Sequence, residues 1–481
     1  MCLLIIIILF LAIIIFRTIS FKNNDNDNLK ELNYDGVDFT ELEVHKKLSE
    51  AVKVKTISNS DYSKTDWNEF VRYHELLEKL FPRVHSNLDK NIVNDYSLVY
   101  HWRGKNTDRK PILITAHMDV VPIEVGTEGD WDHEPFSGDI ADGYVWGRGT
   151  IDTKEHMIAS LEAAERLLEE DYVPNRDIYF AFGHDEEVGG RKGAAKIVEY
   201  FIENNIEFEY LVDEGGCVTE ETIKEVSKPI ALIGIGEKGY ANIKVSVSDD
   251  GGHGSMPPKH TALGKVAKAI NNLEENQCPL KLTKPVKEFL LKIGPEMGFT
   301  NKLILSNLWL FKNIFLRIFS KTKTGNAMLR TTTAATMAEA SMEPNVLPQR
   351  SFAIFNFRIR PEENGKDLLK HIKRVNKDIP IEVDVLRLEE PSMISDSNSQ
   401  GFKNIEAITK YLYKDVIVAP YLVMAGTDAR KYEPVCKNIY RFTPFKIHND
   451  EMSKIHGTNE NLSIENINNC LKFFYILFRE C

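Results

Sequence analysis

Short apolar runs alternate with helical patterns over much of the chain. Each run is as long as a buried strand and ends in polar residues, which is typical of a parallel sheet. The segment Thr153–Glu170, between the first two runs, has apolar residues at helical spacing. Strands and helices that alternate in this way predict a doubly wound α/β domain with helices on both faces of the sheet. The runs are Pro111–Ala116, Asp177–Gly183 and Phe208–Val212.

The pattern changes after Gly236 and returns beyond Pro391. Between these residues, strand-like alternation and helical spacing follow in the order β-α-β-β-α-β, which is typical of a ferredoxin-like unit. A small domain is therefore predicted to be inserted into the larger one. The expected division is 45–236 for the first part of the larger domain, 237–391 for the insertion and 392–481 for the second part.

The amino terminus carries a continuous apolar run, Met1–Phe16. In helical form such a run approaches the thickness of the hydrocarbon core of a bilayer. We interpret residues 1–22 as a signal anchor or as a cleaved signal peptide, followed by a polar linker at 23–44. If the segment is kept as an anchor, the protein is single-pass, is attached to the membrane through this segment and lies in the endomembrane or vacuolar lumen. If the segment is cleaved, the protein is secreted.

Composition and charge narrow the classes of function. Hydrophobic residues are 43% and charged residues 27% of the chain, which excludes wholesale disorder and a polytopic membrane protein. The net charge of -11 disfavours nucleic acid as a partner, because phosphate binding needs a basic surface. The 6 cysteines form no CxxC pair and are too sparse for a disulfide scaffold. These features indicate a folded globular protein.

Acidic residues and one histidine follow the predicted parallel strands, at the edge of the sheet where α/β proteins bind ligands. Carboxylates gathered there stay ionised only beside a cation, and histidine with carboxylates suits zinc, with manganese or cobalt as substitutes. There are more carboxylates than one tetrahedral ion needs, which indicates two metal ions. The clusters are His117-Met118-Asp119, Asp185-Glu186-Glu187 and Asp213-Glu214, together with Asp152 at the start of a helix.

The spacing within two of these clusters predicts different roles for neighbouring residues. His117 and Asp119 are two apart on a strand and face the same way, so Asp119 is expected to orient the imidazole. Glu186 and Glu187 point to opposite sides in extended backbone. One of them is then free to bind a metal while the other faces the substrate.

Nine stretches of the chain contain most of its candidate chemistry. They are AHMDVVP, WGRGTIDTK, FGHDEEVGG, LVDEGG, GGHGSMPP, NAMLRTTTA, NVLPQRSFAIFNFRIRP, AGTDAR and IHGTNE. In this order they resemble the aminoacylase/carboxypeptidase S family of co-catalytic di-zinc metallopeptidases. The resemblance begins near residue 45, extends to 481, and is nearest to the subgroup that holds vacuolar carboxypeptidase S and the N-fatty-acyl-amino-acid synthase/hydrolase. It implies a zinc-exopeptidase-type catalytic domain with two zinc ions, and an inserted lid or dimerisation domain that allows a homodimer.

The resemblance implies a role for each matched residue. Asp152 bridges the two zinc ions, and Glu186 is the general base. The pairs that complete the two metal sites are Glu187 with His456, and His117 with Asp213.

Further residues are implied in the lid and near the carboxyl terminus. His253 stabilises the oxyanion, either within its own chain or from a dimer partner. Arg358 grips the carboxylate of the substrate. Asn326 and the backbone around Gly426 are further candidates for the same pocket, and the lid has to close to bring these groups to the metals.

Two enzyme functions fit these residues. One is a carboxypeptidase that releases C-terminal amino acids from short peptides, and the other is an N-acyl (fatty-acyl) amino acid hydrolase that also runs in the synthetic direction. They differ in the pocket for the acyl side. The apolar segment Leu303–Phe319 lines a lipid-acyl channel, contacts the membrane or packs the insertion, and we favour packing. A remote alternative is a non-catalytic metal-binding homologue, against which the complete set of ligands and base argues.

Overall fold

The computed structural model describes residues 1–22, 29–39, 43–221 and 223–481, without the side chains of residues 449–450. The predicted linker at 23–44 therefore lies partly outside the described residues. In chain order the helices are α1 (Cys2–Ile19), α2 (Val44–Val52), α3 (Trp67–Leu80), α4 (Pro82–Asn87), α5 (Lys154–Glu169), α6 (Ala194–Glu203), α7 (Ala262–Glu275), α8 (Lys284–Ile293), α9 (Phe299–Ser306), α10 (Leu308–Phe319), α11 (Lys323–Leu329), α12 (Gly365–Val375), α13 (Gln400–Leu412) and α14 (Ile464–Glu480).

The strands form one large mixed sheet and three smaller sheets. In chain order they are β1 (Asp89–Val93), β2 (Ser97–Trp102), β3 (Ile112–His117), β4 (Ile140–Ala141), β5 (Tyr144–Trp146), β6 (Ile178–Gly183), β7 (Tyr210–Asp213), β8 (Val218–Glu220), β9 (Ile230–Glu237), β10 (Gly239–Ser248), β11 (Gly252–His253), β12 (Thr332–Glu339), β13 (Val346–Leu347), β14 (Arg350–Ile359), β15 (Glu382–Glu389), β16 (Ile417–Val423), β17 (Ile439–Arg441), β18 (Lys446–His448) and β19 (Asn461–Ser463).

The large sheet has the order β1-β2-β6-β3-β7-β17-β9-β8-β18, and β16 pairs with β9. The three strands predicted from the apolar runs are β3, β6 and β7, and β3 runs parallel to both of its neighbours. Side chains alternate between two cores: Ile112 and Ile114 pack with α5 and α14, whereas Leu113 packs with α6. The predicted α/β sheet with helices on both faces is confirmed, and the carboxyl ends of β3, β6 and β7 meet at one edge.

The smaller antiparallel sheet has the order β12-β14-β10-β15. Helices α7 and α12 share one hydrophobic core with this sheet. Taken together, these strands and helices follow in the chain order β-α-β-β-α-β, and both this order and the order of strands in the sheet are those of a ferredoxin-like unit. The predicted inserted fold is therefore present. The domain bounds of 237 and 391 remain predictions, although β10 begins at Gly239 and β15 ends at Glu389.

Helices α8 to α11 fill the chain between α7 and β12 and pack against the large sheet rather than the small one. Their shared core includes Phe289 of α8 and Ile417 of β16. Leu303–Phe319 is expected to pack the insertion, but its buried residues Leu305 and Leu316 pack against β9 and β16 of the large sheet instead. The opposite side of α10 is exposed.

The amino-terminal helix α1 has the length and apolar composition needed to cross a membrane, as a signal anchor or a signal peptide has. Most of its side chains are exposed, and it contacts α9 through Arg17 and α10 through Phe10.

Candidate metal centre

Two groups of candidate metal ligands lie at the carboxyl-terminal edge of the large sheet and share Asp152. Nε2 of His117 lies 3.1 Å from Oδ1 of Asp152 and 3.1 Å from Oε1 of Glu214. Nε2 of His456 lies 3.0 Å from Oδ2 of Asp152 and 3.2 Å from Oε2 of Glu187. Because the two oxygens of Asp152 face different histidines, its carboxylate is oriented to bridge two ions.

The charge of this cluster fits divalent cations. Burial and the charge of Asp152 raise the pKa of Glu187 to about 7 and that of Glu214 to about 8. Oε1 of Glu187 is buried and has no hydrogen-bond partner in the part of the chain that the structure describes. Crowded carboxylates stay ionised when cations lie between them, and histidine with carboxylates is a donor set for zinc, manganese or cobalt. The residues present therefore fit a pair of such ions.

The structure differs from the sequence prediction at one ligand position. Oδ1 of Asp213 accepts a hydrogen bond of 2.7 Å from the hydroxyl of Thr115, and its Oδ2 lies 3.1 Å from Oγ1 of Thr427. Among the described residues, Asp213 belongs to neither ligand group, and Glu214 lies beside His117 in its place. Asp213 is the last residue of β7 and Glu214 follows it, and of these two acids only Glu214 contacts His117.

Asp119 contacts both His117 and the turn that carries Glu186 and Glu187. Its backbone carbonyl accepts a hydrogen bond of 2.9 Å from Nδ1 of His117, which leaves Nε2 directed at the carboxylates. Its buried carboxylate accepts from the backbone N–H groups of Glu186 (3.0 Å) and Glu187 (3.1 Å), and from the hydroxyl of Ser58 (2.6 Å). The sequence predicted that Asp119 orients the imidazole; the structure adds that it holds the turn that carries both glutamates.

Glu186 lies on the short turn that follows β6. Burial raises the pKa of its carboxyl well above the ordinary value, with Asp428 and Glu214 reinforcing the shift and His117 opposing it. A carboxyl group with a raised pKa, beside a pair of metal ligand groups, suits the transfer of a proton to and from a reacting water.

Glu460 was not selected from the sequence, yet it supports the loop that carries Asp152. Its fully buried Oε1 accepts hydrogen bonds from the backbone N–H groups of Gly149 (3.0 Å) and Ile151 (2.8 Å). The only signal in the sequence was its position inside the stretch IHGTNE, four residues after His456.

The structure does not bring the predicted lid residues to the ligand groups. His253 is exposed on β11, where its Nδ1 lies 2.8 Å from the hydroxyl oxygen of Ser255. Arg358 lies on β14 with its guanidinium 4.7 Å from the centre of the Tyr240 ring. In the described part of the chain, no hydrogen bond or ion pair joins either residue to the five metal-ligating side chains.

Of the two remaining candidates, one lies on a loop and the other on a helix. Gly426 follows β16 and precedes Thr427, which contacts Asp213. Asn326 lies on α11, and the carbonyl of the next residue accepts a hydrogen bond of 2.9 Å from Nζ of Lys238.

Comparisons with known proteins show the family of this chain. Residues 113–480 match the model of Peptidase family M20/M25/M40. The chain is 38% identical over 480 residues to "Probable carboxypeptidase S-like 2" of Dictyostelium discoideum, with 98% of this chain and 91% of that protein covered. It is 35% identical over 434 residues to "N-fatty-acyl-amino acid synthase/hydrolase PM20D1" of Mus musculus, with 89% and 86% covered.

Among solved structures, the fold is similar to that of the M20 family metallo-carboxypeptidase Sso-CP2 from Sulfolobus solfataricus. The TM-score is 0.66 at 18% identity, and the match covers 91% of this chain and 98% of that one. The resemblance drawn from the nine stretches is therefore confirmed. With its large α/β sheet, its ferredoxin-like insertion and a family match over most of its length, the chain belongs to peptidase family M20/M25/M40 and is a hydrolase of that family.

Proposed function

We propose that this protein uses two metal ions to hydrolyse the amide bond next to an amino acid with a free carboxylate, and so releases C-terminal amino acids from short peptides. The observation that carries the proposal is the shared Asp152, whose two oxygens face His117 and His456. The relative named carboxypeptidase S-like 2 supports the choice of reaction.

In this proposal Asp152 would be shared by two zinc ions. Glu187 and His456 would hold one of them with Asp152, and His117 and Glu214 would hold the other. When bound, the zinc pair supplies Lewis-acid activation of a water molecule and of the scissile carbonyl at neutral pH. Cobalt or manganese substitute for zinc with the same donor set.

Glu186 acts as the general base. Its carboxylate takes a proton from the attacking water as the new C–O bond forms, and returns that proton to the nitrogen as the C–N bond breaks. The hydrogen bond from the Glu186 backbone N–H to Asp119 fixes the turn, so the carboxylate starts from one position. The products are a carboxylic acid and an amine, which exchange a proton at neutral pH to give a carboxylate and an ammonium ion, and no other reactant is needed.

The lid supplies substrate recognition. Arg358, as a bidentate fork, binds the free carboxylate of the substrate, and Asn326 and the backbone at Gly426 complete that pocket. His253 stabilises the oxyanion after the lid closes, or from the partner subunit of a homodimer that forms through the lid. Such motion agrees with the exposure of His253 in this structure.

A second candidate is an N-fatty-acyl amino acid hydrolase/synthase. It is favoured by the 35% identity to the mouse protein of that name. Both reactions need the same metals and the same carboxylate pocket, and they differ in the group on the acyl side.

The test compares kcat/KM of the zinc-loaded protein for a dipeptide and for an N-oleoyl amino acid. C-terminal amides of both compounds are matched controls that lack the carboxylate. We expect the dipeptide to be cleaved faster and both amides to be poor substrates. Faster turnover of the N-oleoyl compound selects the second candidate, and equal turnover of the amides contradicts the proposed carboxylate recognition.

We further propose that α1 anchors the protein in an endomembrane, with its catalytic body in the lumen, unless this segment is cleaved and the body is secreted. Its length and composition support this placement. Protease protection of the full chain in sealed microsomes tests it, and digestion of the catalytic body from the cytosolic side contradicts it.

A further inference from the structure

Helix α10 leaves a row of large apolar side chains uncovered. Leu310, Ile314 and Ile318 recur every fourth residue along one side, and Ile314 and Ile318 are 54% and 58% exposed. The opposite side holds Leu316, which is buried in the core shared with α8 and β16. Contiguous exposed apolar side chains of this size mark an interaction surface.

This surface is continuous with the amino-terminal helix. The ring of Phe10 on α1 packs edge-on against Trp309, with the ring centres 5.9 Å apart. Near the end of α1, the guanidinium of Arg17 donates a hydrogen bond of 3.1 Å to the carbonyl of Ser306. The apolar row of α10 therefore lies beside a helix that is itself long and apolar enough to span a bilayer.

The charge around α10 is opposite to that of the whole chain. The segment Phe299–Lys323 contains no Asp or Glu, although the net charge of the chain is -11. A basic amphipathic helix with an interfacial tryptophan is typical of a protein surface that lies in the headgroup region of a membrane. The basic residues of the segment are Lys302, Lys312, Arg317, Lys321 and Lys323.

We propose that α10, together with the exposed rings of Phe299 and Trp309, seats the catalytic body on a lipid bilayer beside α1. The apolar row enters the boundary between headgroups and acyl chains, while the basic side chains meet anionic phosphate. Among the described residues this surface shares no side chain with the two candidate ligand groups, so the proposal does not depend on which amide is cleaved. The proposal also explains why Ile314 and Ile318 are exposed, since a helix that only packed against the protein would have no reason to carry isoleucine at these positions.

The test uses the full chain, reconstituted in phosphatidylcholine vesicles with and without phosphatidylserine. Cys2 is exposed and the other cysteines are buried, so Cys2→Ser gives a background for labelling. An environment-sensitive dye is attached at Ile314→Cys, and quenching by lipids with brominated acyl chains is measured. Matched reporters are Ile8→Cys in α1 and Val71→Cys, an exposed apolar position on α3.

We expect quenching at Ile314, stronger with phosphatidylserine, and none at Val71. Adding Leu310→Glu and Ile318→Glu to the Ile314→Cys protein should abolish the quenching at Ile314, and both positions are exposed enough to leave folding intact. Quenching at Ile8 without quenching at Ile314 means that α1 inserts alone, which overturns the proposal. Quenching at neither position, or equal quenching at Val71, overturns it as well.

Discussion

The guanidinium of Arg148 and the carboxylate of Glu460 form a buried ion pair, with 2.5 Å between Nη1 and Oε2. Nη2 of Arg148 also donates a hydrogen bond of 3.2 Å to the carbonyl of His456. Since the other oxygen of Glu460 accepts from the backbone N–H of Ile151 (2.8 Å), one pair joins the loops that carry His456 and Asp152. Two proposed ligands that are far apart in sequence are thereby held in one geometry.

Replacing Arg148 should therefore weaken metal binding without removing a ligand. We expect Arg148→Lys to lower zinc affinity about 10- to 100-fold, the usual effect of losing a group that orients ligands. Lysine keeps the charge but cannot reach both the carboxylate and the backbone carbonyl. Titration with a competing chelator measures the affinity. Arg103→Lys, in an exposed pair with Asp89, is the control and should change nothing. Unchanged affinity in Arg148→Lys contradicts the positioning role.

Neutralising either of the two adjacent acids at the end of β7 should have a different effect on the number of zinc ions bound. Glu214→Gln should retain one zinc ion per chain, because a ligand beside His117 is lost. Asp213→Asn should retain both, because an amide oxygen still accepts the hydrogen bond from Thr115. Metal analysis after gel filtration gives the stoichiometry. The reverse result would restore the ligand set predicted from the sequence.

Glu186→Gln should lower kcat by about 10²- to 10⁴-fold, the usual contribution of a general base. The zinc content should stay at the wild-type value, since Glu186 lies in neither ligand group among the described residues. Glu187→Gln is the matched comparison and should lose metal as well as activity. Residual activity of Glu186→Gln above about a hundredth of wild type would refute the base assignment.

Two arginines lie against the ring of Tyr240, and only one of them is proposed to bind the carboxylate of the substrate. The other therefore serves as a matched control. Arg358 lies 4.7 Å and Arg387 4.9 Å from the ring centre. Arg358→Lys should raise KM about 10- to 100-fold for substrates with a free carboxylate, because one charged hydrogen bond of the fork is lost. Arg387→Lys should leave KM unchanged. Steady-state kinetics decides, and equal effects of both substitutions contradict the specific role of Arg358.

The buried carboxylate of Glu237 should make the stability of the fold depend on pH. This carboxylate is fully buried, is hydrogen-bonded to Nε of Arg441 and lies 2.5 Å from Nη2 of Arg430. Burial alone raises the pKa of Glu237, but the two arginines outweigh it and hold the pKa below the ordinary value. A carboxyl group whose pKa is lower in the folded state stabilises the fold at every pH above its unfolded-state pKa, which is about 4.3. That stability is lost as the pH falls from there towards the folded-state pKa.

We therefore expect the unfolding midpoint to fall as the pH decreases below about 4.3, and to fall less in Glu237→Gln. At neutral pH that substitution should cost about 3–5 kcal/mol, because Arg441 stays buried without its charge partner. Thermal unfolding at a series of pH values measures both effects. Glu207→Gln, an exposed partner of Lys110, is the control and should leave the midpoint unchanged. Parallel pH profiles for wild type and Glu237→Gln would contradict the account.

Much of the fold was predictable because burial leaves a direct trace in sequence. The uninterrupted apolar runs that became β3, β6 and β7 are buried on both faces, and the alternating run that became β10 has one buried face. The carboxyl ends of parallel strands lie at the same edge of a sheet, so the position of His117 and of the glutamates after β6 at that edge is predictable from the sequence.

The remaining parts of the site depend on tertiary contacts that local spacing does not encode. His456 comes from a loop at the other end of the chain, and only the resemblance selected it. The choice between Asp213 and Glu214 depends on which side chain turns towards Thr115, which two successive acids do not reveal. The exposure of Ile314 was likewise hidden, because an apolar helix face looks the same whether it meets a core or a membrane.

Anomalous diffraction at the zinc edge from zinc-loaded crystals tests the central claim most directly. Two peaks should lie on either side of the Asp152 carboxylate, one beside His117 and Glu214 and the other beside His456 and Glu187. A single peak, or peaks away from Asp152, would contradict the shared two-metal centre and the hydrolytic function built on it.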